Sequence, residues 1–250
     1  FPFLFNSDFQ ISGRIDMIKK DSSFFNFNSK FTIEYLIKNN LSLGALILNN
    51  NSTNLIEEKY SSTSVNSFGF TFNSNQQDNR INPTSGYFIS SDLSYGWKQT
   101  YNLDTSQSNI LRTPNFYGNL NFNNYFKIRK RSTFKLGILA SSIQNEILYE
   151  NEFSRIGGYK TIRGFDEESI WVSSYLITNL EFRYLIDETS NLFIFSDFAW
   201  TESKTQELLV NDYYNSFGFG TNISMPNGLL TLIYGLGRKI DNPFLLRTGK

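Results

Sequence analysis

The chain has 250 residues, of which 17% are aromatic, and this share favours strands because flat rings pack well on a pleated surface. Lys and Arg number 23, as do Asp and Glu, so no excess of basic charge indicates a nucleic-acid partner. The absence of Cys and His excludes disulfides, thiolate or imidazole metal sites and Ser-His-Asp or Cys-His catalysis, and we expect no enzyme, no cofactor and no metal.

Apolar and polar residues alternate along most of the chain, with the period of a β-strand that has one apolar face. Turn-forming clusters such as 38–40 and 226–228 separate the alternating runs. In chain order, the clearest runs are 25–37, 68–72, 87–97, 116–122, 180–184, 217–223 and 230–236. We count about eleven strands and no amphipathic helix, which predicts an antiparallel meander without an internal domain boundary.

The alternation fits two architectures, a soluble barrel or sandwich with its apolar face inside and a membrane barrel with that face towards lipid. The other face carries Asn, Ser, Thr and Gly with scattered charges, unlike the dense Lys and Glu of a solvated surface. Aromatic residues also recur near strand ends, as in the interfacial girdle of a membrane barrel. They are Tyr95, Trp97, Tyr184, Phe198, Trp200, Tyr213 and Tyr214. The sequence therefore favours an all-β, transmembrane, antiparallel up-and-down β-barrel, with a soluble lipid-binding barrel as the alternative.

The alternation stops between about Tyr149 and Ser173. A loop of this length in a tight meander is usually functional or disordered. Gly157-Gly158 and the Arg163-Gly164-Phe165 segment indicate a defined conformation, because glycine permits turns that other residues resist. On composition alone, the segment is either an ordinary surface loop with an exposed arginine or a loop with a function.

Within this segment, Gly157-Gly158 followed by Ile162-Arg163-Gly164-Phe165 resembles the (V/I)RG(F/Y) loop of a known family. That family is the BamA/TamA-like outer-membrane barrel-assembly and two-partner-secretion superfamily, or bacterial surface antigen barrel domain. The resemblance covers roughly residues 66–240. Its further parts are an Asn-Pro-x-x-Gly turn within 78–86 and strands that contain 179–182, 193–200, 216–220 and 234–237.

The resemblance implies that the loop folds into the barrel lumen and that Arg163 pairs with two acids on the inner wall, Asp197 and Glu181. The alternation agrees, because both acids lie on the polar faces of their strands. An arginine that faces two carboxylates in a confined space can form bidentate, charge-assisted hydrogen bonds. Two alternatives stay open at this point. Arg183 competes as the partner of Glu181, and both acids could be lumenal polar residues without a specific partner.

A set of small or aromatic residues in the C-terminal strands is expected to support the loop. They are Phe195, Gly218, Gly220, Gly235 and Gly237. The paired glycines are not phosphate-binding loops, because they lie inside strands and no helix follows them. We expect them to leave room for the loop or to let the wall bend.

Two charged clusters have a functional and an ordinary interpretation. Asp166, Glu167 and Glu168 form an acidic tip that could attract a cation, although we favour a solvated turn. A basic run at a predicted turn could attract anionic lipid headgroups or could simply be solvated. The run consists of Lys127, Arg129, Lys130 and Arg131.

The resemblance implies residence in the outer membrane of a Gram-negative bacterium and a role as an assembly or insertion factor for outer-membrane proteins, or as a polypeptide translocator. The expected partners are outer-membrane lipids, nascent outer-membrane or secreted polypeptides and accessory lipoproteins. In such a mechanism, a seam between the first and last strands opens and templates an incoming strand by edge pairing. The alternative is a passive pore or a structural barrel subunit of an outer-membrane complex.

We assign residues 1–250 to one outer-membrane β-barrel domain and expect a fragment of a sixteen-stranded barrel with an inward-folded loop. No POTRA pattern precedes the alternating runs, and the sequence stops at 247–250, where a last strand would begin. The first strands, the last strand and any POTRA domains are therefore expected to lie outside this sequence.

Overall fold

A computed structural model describes most of the chain. The described residues are 8–20, 23–38, 40–55, 61–101, 110–205, 208–226 and 228–240. The segment 247–250, where a last strand is expected to begin, lies outside them. No helix among the described residues has both the length and the apolar character needed to cross a membrane.

Strands form almost all of the regular structure, because the alternating apolar residues favour a pleated backbone. In chain order they are β1 Phe9–Lys20, β2 Phe24–Lys38, β3 Leu41–Asn54, β4 Ser62–Asn75, β5 Gly86–Tyr101, β6 Ile110–Arg129, β7 Ser132–Gln144, β8 Ser154–Ile156, β9 Ile170–Val172, β10 Ser174–Leu185, β11 Asn191–Lys204, β12 Leu209–Met225 and β13 Gly228–Ile240. A single turn of 3-10 helix, Glu150–Glu152, lies before β8.

Eleven of these strands form one sheet, in which every strand pairs antiparallel with its neighbours in chain order. β7 pairs with β10 across the interval that holds the separate β8–β9 hairpin. Within the described residues, β1 and β13 each pair with one neighbour only, so the described sheet is open. The predicted antiparallel meander of about eleven strands is confirmed.

The apolar face of the sheet is the exposed one. On β4, Phe68 and Phe70 are 69% and 76% exposed, whereas Ser67 and Thr71 are buried on the opposite face. A soluble barrel would bury these rings in its core, whereas a barrel in lipid presents them to acyl chains. The transmembrane alternative is therefore correct, and the soluble lipid-binding barrel is excluded.

The aromatic girdle differs from the prediction at one position. Tyr95, Trp97 and Tyr184 are exposed on the outer face, as expected. Tyr214 is not part of the girdle, because it is only 8% exposed and belongs to a buried apolar cluster inside the sheet. Strand alternation explains the difference, since Tyr213 takes the outward position and its neighbour must point inward.

The sheet has two ends with different connections. Residues 145–173 connect β7 to β10 at one end, which we call the loop end. The connections 76–85, 130–131 and 186–190 lie at the opposite end, which we call the turn end. The predicted turns at 38–40 and 226–228 also fall at the turn end, but residues 39 and 227 lie outside the described residues.

Candidate functional site: the loop between β7 and β10

The loop of residues 145–173, which we call the inserted loop, folds back over the inner face of the sheet. Its apolar side chains pack with wall residues of β10, β11 and β12 in one buried cluster. The members are Ile156, Ile162, Val172, Ile177, Ala199 and Tyr214. The first three come from the loop, so the loop supplies half of the residues of this cluster. Burying each such side chain contributes about 1.5–3 kcal/mol.

Arg163, the arginine of the predicted motif, is 6% exposed and lies against β11. Its Nε donates to Asp197 Oδ2 at 2.9 Å and its Nη2 donates to Asp197 Oδ1 at 2.6 Å. Its backbone N–H also donates to Asp197 Oδ2, at 3.0 Å. The carboxylate of Asp197 therefore holds both the side chain and the backbone of the loop at this residue.

Glu181 on β10 accepts from two arginines. Arg163 Nη1 donates to one carboxylate oxygen at 2.7 Å, and Arg183 Nε donates to the other at 2.6 Å. Arg163 and Arg183 therefore both pair with Glu181, one at each carboxylate oxygen. We call Arg163, Asp197, Glu181 and Arg183 the Arg163 site.

The Arg163 site is shielded from water, since the side chains of Arg163, Glu181 and Asp197 are 7%, 4% and 0% exposed. The ring of Phe195 lies beneath the guanidinium, with its centroid 3.8 Å from Cζ. Burial alone would lower the pKa of Arg163, but the hydrogen bonds and charges of Asp197 and Glu181 outweigh it and raise the pKa. Removing one partner of such a buried pair costs about 3–5 kcal/mol, because the other charge is left uncompensated.

Two glycines turn the loop before the arginine. Gly157 and Gly158 have φ values of 120° and 85°, a region that favours glycine. A Cβ on Gly157 would lie 2.2 Å from the carbonyl oxygen of Asp166. The acidic tip packs on this turn through the backbone of Asp166 and the carboxylate of Glu167, which lies against Gly158, although both residues are exposed. Among the described residues, no group of three or more acids is arranged to hold a metal ion.

The residues after the arginine contact β13. A Cβ on Gly164 would lie 2.8 Å from the backbone nitrogen of Gly237, and a Cβ on Gly237 would lie 2.4 Å from the Phe165 ring. Phe165 also meets the Tyr214 ring edge-on, with centroids 5.5 Å apart. The loop and β13 can therefore approach this closely only because glycine stands on both sides.

The predicted glycines of β12 are placed against aromatic rings. A Cβ on Gly218 would lie 2.7 Å from the Phe195 ring, and one on Gly220 would lie 2.5 Å from the Phe193 ring. These rings point inward from β11 and lie under the guanidinium of Arg163. The glycines therefore leave room for the rings that support Arg163, rather than for the loop itself.

The sequence did not indicate the contacts of the loop's first part. Lys98 on β5 is fully buried and pairs with Glu152 of the loop. Asn151, which is 1% exposed, donates to Ser52 Oγ on β3 at 2.6 Å. The one feature of the sequence that could have indicated this contact is a lysine among small polar residues on the inward face of β5. The alternation of a strand shows which way the lysine points but not which residue it pairs with.

The turn end carries a second long-range contact that the sequence did not indicate. Asn82 in the connection from β4 to β5 is 2% exposed and accepts from Asn191 Nδ2 at 2.8 Å. Asn191 is the first residue of β11 and accepts in turn from Asn222 of β12 at 3.2 Å. The predicted Asn-Pro-x-x-Gly turn therefore reaches across the inner face to the strand that holds Asp197.

Comparison with known proteins assigns the family. A model described as the Omp85 superfamily domain matches residues 18–244. No curated protein sequence gives a significant match. The fold is similar to BamA from Haemophilus ducreyi lacking POTRA domains 1-3, with a TM-score of 0.64 and 14% identity over 96% of this chain and 57% of that chain. It is also similar to CdiB from Acinetobacter baumannii, with a TM-score of 0.50 and 13% identity over 86% of this chain and 42% of that chain.

The two structural similarities concern the fold, because the sequence identities are low. The chain spans 57% of the solved BamA chain that it matches. The family model, in contrast, covers nearly the whole sequence and includes every residue of the Arg163 site. The chain therefore belongs to the Omp85 superfamily and is a β-barrel protein of the bacterial outer membrane.

Proposed function

We propose that the chain is part of a factor that assembles proteins into the outer membrane or secretes polypeptides across it. The observation that carries this proposal is the buried set of ion pairs between Arg163 of the inserted loop and the wall acids Asp197 and Glu181, in a chain of the Omp85 superfamily. No step of the proposed function requires a catalytic group. Its partners would be outer-membrane lipids, client polypeptides and accessory lipoproteins.

In this proposal the inserted loop keeps the C-terminal strands in register. Arg163 joins β10 to β11 through the two acids, and Gly164 and Phe165 lie against β13. A loop held at three strands fixes the shape of that part of the wall. The proposed client is a chain in extended conformation that pairs with a strand edge, where main-chain hydrogen bonds supply affinity for many sequences.

The proposal is tested by Arg163→Ala in the full-length protein. Assembly or secretion should fall by about tenfold or more, because the substitution leaves the buried carboxylate of Asp197 without its arginine and Glu181 with Arg183 alone. The control is Arg131→Ala, which removes an exposed arginine from the β6–β7 turn. Client protein in the outer membrane or the medium is measured, and heat-modifiable mobility on gels reports whether the barrel has folded. Full activity of a folded Arg163→Ala protein contradicts the proposal.

An exchange of charges tests whether the pair itself matters. Arg163→Asp combined with Asp197→Arg should recover part of the activity that each single substitution loses, because the attraction is restored with opposite polarity. Recovery should be incomplete, since Glu181 still faces the site and the backbone N–H of Arg163 loses its acceptor. A double variant no better than either single variant contradicts a direct role of the pair.

A passive pore is the second candidate, because the loop does not fill the whole lumen. A cavity of 590 Å³ lies between the loop and β1–β6, lined by polar residues such as Asn28, Lys30 and Asp92. Single-channel conductance of the wild-type protein and of Arg163→Ala separates the two candidates. A large, steady wild-type conductance that the substitution leaves unchanged would favour the pore.

A further inference from the structure

The inserted loop has two limbs that lead to different parts of the wall. On the returning limb, Ser173 donates its backbone N–H to Glu202 of β11 at 2.8 Å, and the Trp171 ring meets Phe24 of β2 and the ammonium group of Lys20 of β1. The outgoing limb, residues 145–152, crosses to the opposite wall, where Asn151 meets β2 and β3 and Glu152 meets β5. This limb carries the buried ion pair between the loop and the N-terminal half of the sheet, Glu152 with Lys98.

Lys98 is the centre of that contact. Its ammonium donates to Glu152 and, at 2.6 Å, to the carbonyl oxygen of Ile147, and it lies 4.9 Å from the centroid of the Tyr149 ring. The three donors of an ammonium group thus face a carboxylate, a carbonyl and an aromatic face. The residue is 0% exposed, so the loss of Glu152 would leave a buried charge without its counterion.

The same acid also shapes the loop. Glu152 accepts the backbone N–H of Tyr149 at 3.0 Å, which closes the single turn of 3-10 helix around the ammonium group. Burial raises the pKa of Glu152, and the charge of Lys98 opposes that rise. The limb is therefore folded around the pair and does not merely pass beside it.

Asparagine contacts extend the attachment to the next strands. Asn151 donates to Ser52 Oγ at 2.6 Å and to the carbonyl oxygen of Ser61 at 3.0 Å. Asn26 of β2 donates to the carbonyl oxygen of Asn151 at 2.7 Å and accepts from Ser52 at 2.6 Å. These four hydrogen bonds favour one arrangement, because any displacement of Asn151 would break several of them at once, although Asn151 Oδ1 itself has no hydrogen-bond partner.

We propose that Lys98 and Glu152 form a second anchor of the inserted loop, which positions the Arg163 motif from the wall opposite the Arg163 site. The loop leaves the lumen only when both anchors open. The importance of this anchor for activity rests on the function proposed above. Its existence does not, because it concerns only the position of the loop. The two are tested by separate measurements.

Thiol labelling tests the anchor directly, since the chain contains no Cys. Leu148→Cys introduces one thiol at a position that is 3% exposed, in the limb between Ile147 and Tyr149. The folded protein in lipid vesicles is treated with a maleimide. We expect Lys98→Met to accelerate labelling by about tenfold or more, because Glu152 loses its buried counterion. An unchanged rate in folded protein overturns the proposal.

Two further variants decide the outcome if Lys98→Met does not fold. Glu152→Gln keeps the shape of the side chain and removes its charge, and it should accelerate labelling in the same direction. Lys98→Glu combined with Glu152→Lys should return the rate towards the wild-type value. The control is Lys30→Met, which removes an inward lysine that pairs with Asp92 of the wall at 2.5 Å rather than with the loop, and which should leave the rate unchanged.

Assembly or secretion is measured on the same variants. Faster labelling together with reduced activity supports both proposals. Faster labelling with full activity supports the anchor and contradicts the proposed role of the loop in function. An unchanged labelling rate after loss of the Lys98–Glu152 pair rejects the anchor, whatever the activity.

Discussion

Arg163 contacts the wall in a way that other residue types cannot reproduce. Its planar guanidinium donates to Asp197 through two nitrogens and to Glu181 through the third. A lysine would carry the same charge, but its three donors lie on one nitrogen and could not bind two carboxylates in this planar arrangement. The face of the guanidinium is also used, since the Phe195 ring lies 3.8 Å from Cζ. The motif therefore requires arginine for shape as well as for charge.

The residue after the arginine gives the sharpest test of close packing. Gly164 has φ 83°, and a Cβ there would lie 2.8 Å from Gly237 N and Leu236 C. Gly164→Ala should destabilise the folded barrel by about 1 kcal/mol or more, because the backbone is strained and the loop must move away from β13. Gly13→Ala, at a site with nothing within 4 Å, is the matched control. Urea unfolding in lipid vesicles measures both, and equal stability of the two variants would contradict the close contact.

For single residues, the sequence predicts the position only of those that belong to a recognisable motif or to a regular alternation. Arg163 was identified from the motif. Asp197 and Glu181 were identified from the family resemblance, and the polar faces of their strands agreed with it. Lys98 and Glu152 could not be paired in advance, because their contact depends on the path of the loop across the lumen. Tyr214 was misplaced because an aromatic pair at a strand end does not reveal which ring points outward.

Strands are the elements that the sequence predicts best. An apolar face that repeats every second residue is visible without any tertiary information, and each run of alternation falls inside a strand. The short strands β8 and β9 were missed, since three residues contain too little alternation to detect. The connections are hardest to predict, because glycines and local hydrogen bonds determine their shape.

The connection from β4 to β5 shows how one acid can organise a turn. Asp78 accepts from the backbone N–H groups of Thr84 and Ser85, at 2.9 and 3.2 Å, and from the Thr84 hydroxyl. Burial raises the pKa of Asp78, but these hydrogen bonds outweigh it and hold the pKa below its ordinary value of 3.8. The folded turn therefore favours the ionised carboxylate.

This preference has a defined pH dependence. A carboxyl group whose pKa is lower in the folded state stabilises the turn above its unfolded pKa, and this stability is lost as the pH falls through the lower, folded pKa. We expect the NMR signal of the Thr84 amide to shift as the pH falls below 3.8. Asp78→Asn should abolish that shift. A shift that persists in the variant would assign the titration to another group.

For the molecule as a whole, the outward apolar face sets where charge is tolerated. Phe70 is 76% exposed on this face, and Leu93 lies opposite it on β5. Phe70→Arg should destabilise the barrel by about 2–4 kcal/mol, which is the cost of an arginine at the midplane of a bilayer. Asn66→Arg, on the same face beside Trp97, should cost about 0–1 kcal/mol. Folding equilibria in lipid vesicles measure both, and equal costs would contradict a membrane midplane near Phe70 and an interface near Trp97.

The family and the architecture could be predicted from the sequence because they rest on features repeated over many residues. The arrangement of the lumen could not, because it depends on contacts between residues far apart in the chain. Asn82 and Asn191 are an example, since nothing local to either asparagine indicates the other. The seam mechanism and the single barrel domain over residues 1–250 stay predictions.

The contacts of β11 have a consequence for how the lumen can open. Its first residue, Asn191, holds the β4–β5 turn; Asp197 holds Arg163; and Ser203 donates to the carbonyl oxygen of Trp171 near the loop end. A slip that preserves the faces of the strand must be two residues, or about 7 Å, which exceeds the length of any hydrogen bond. Sliding β11 would therefore break all three contacts at once, so the contacts at the turn end and at the loop end would be lost together.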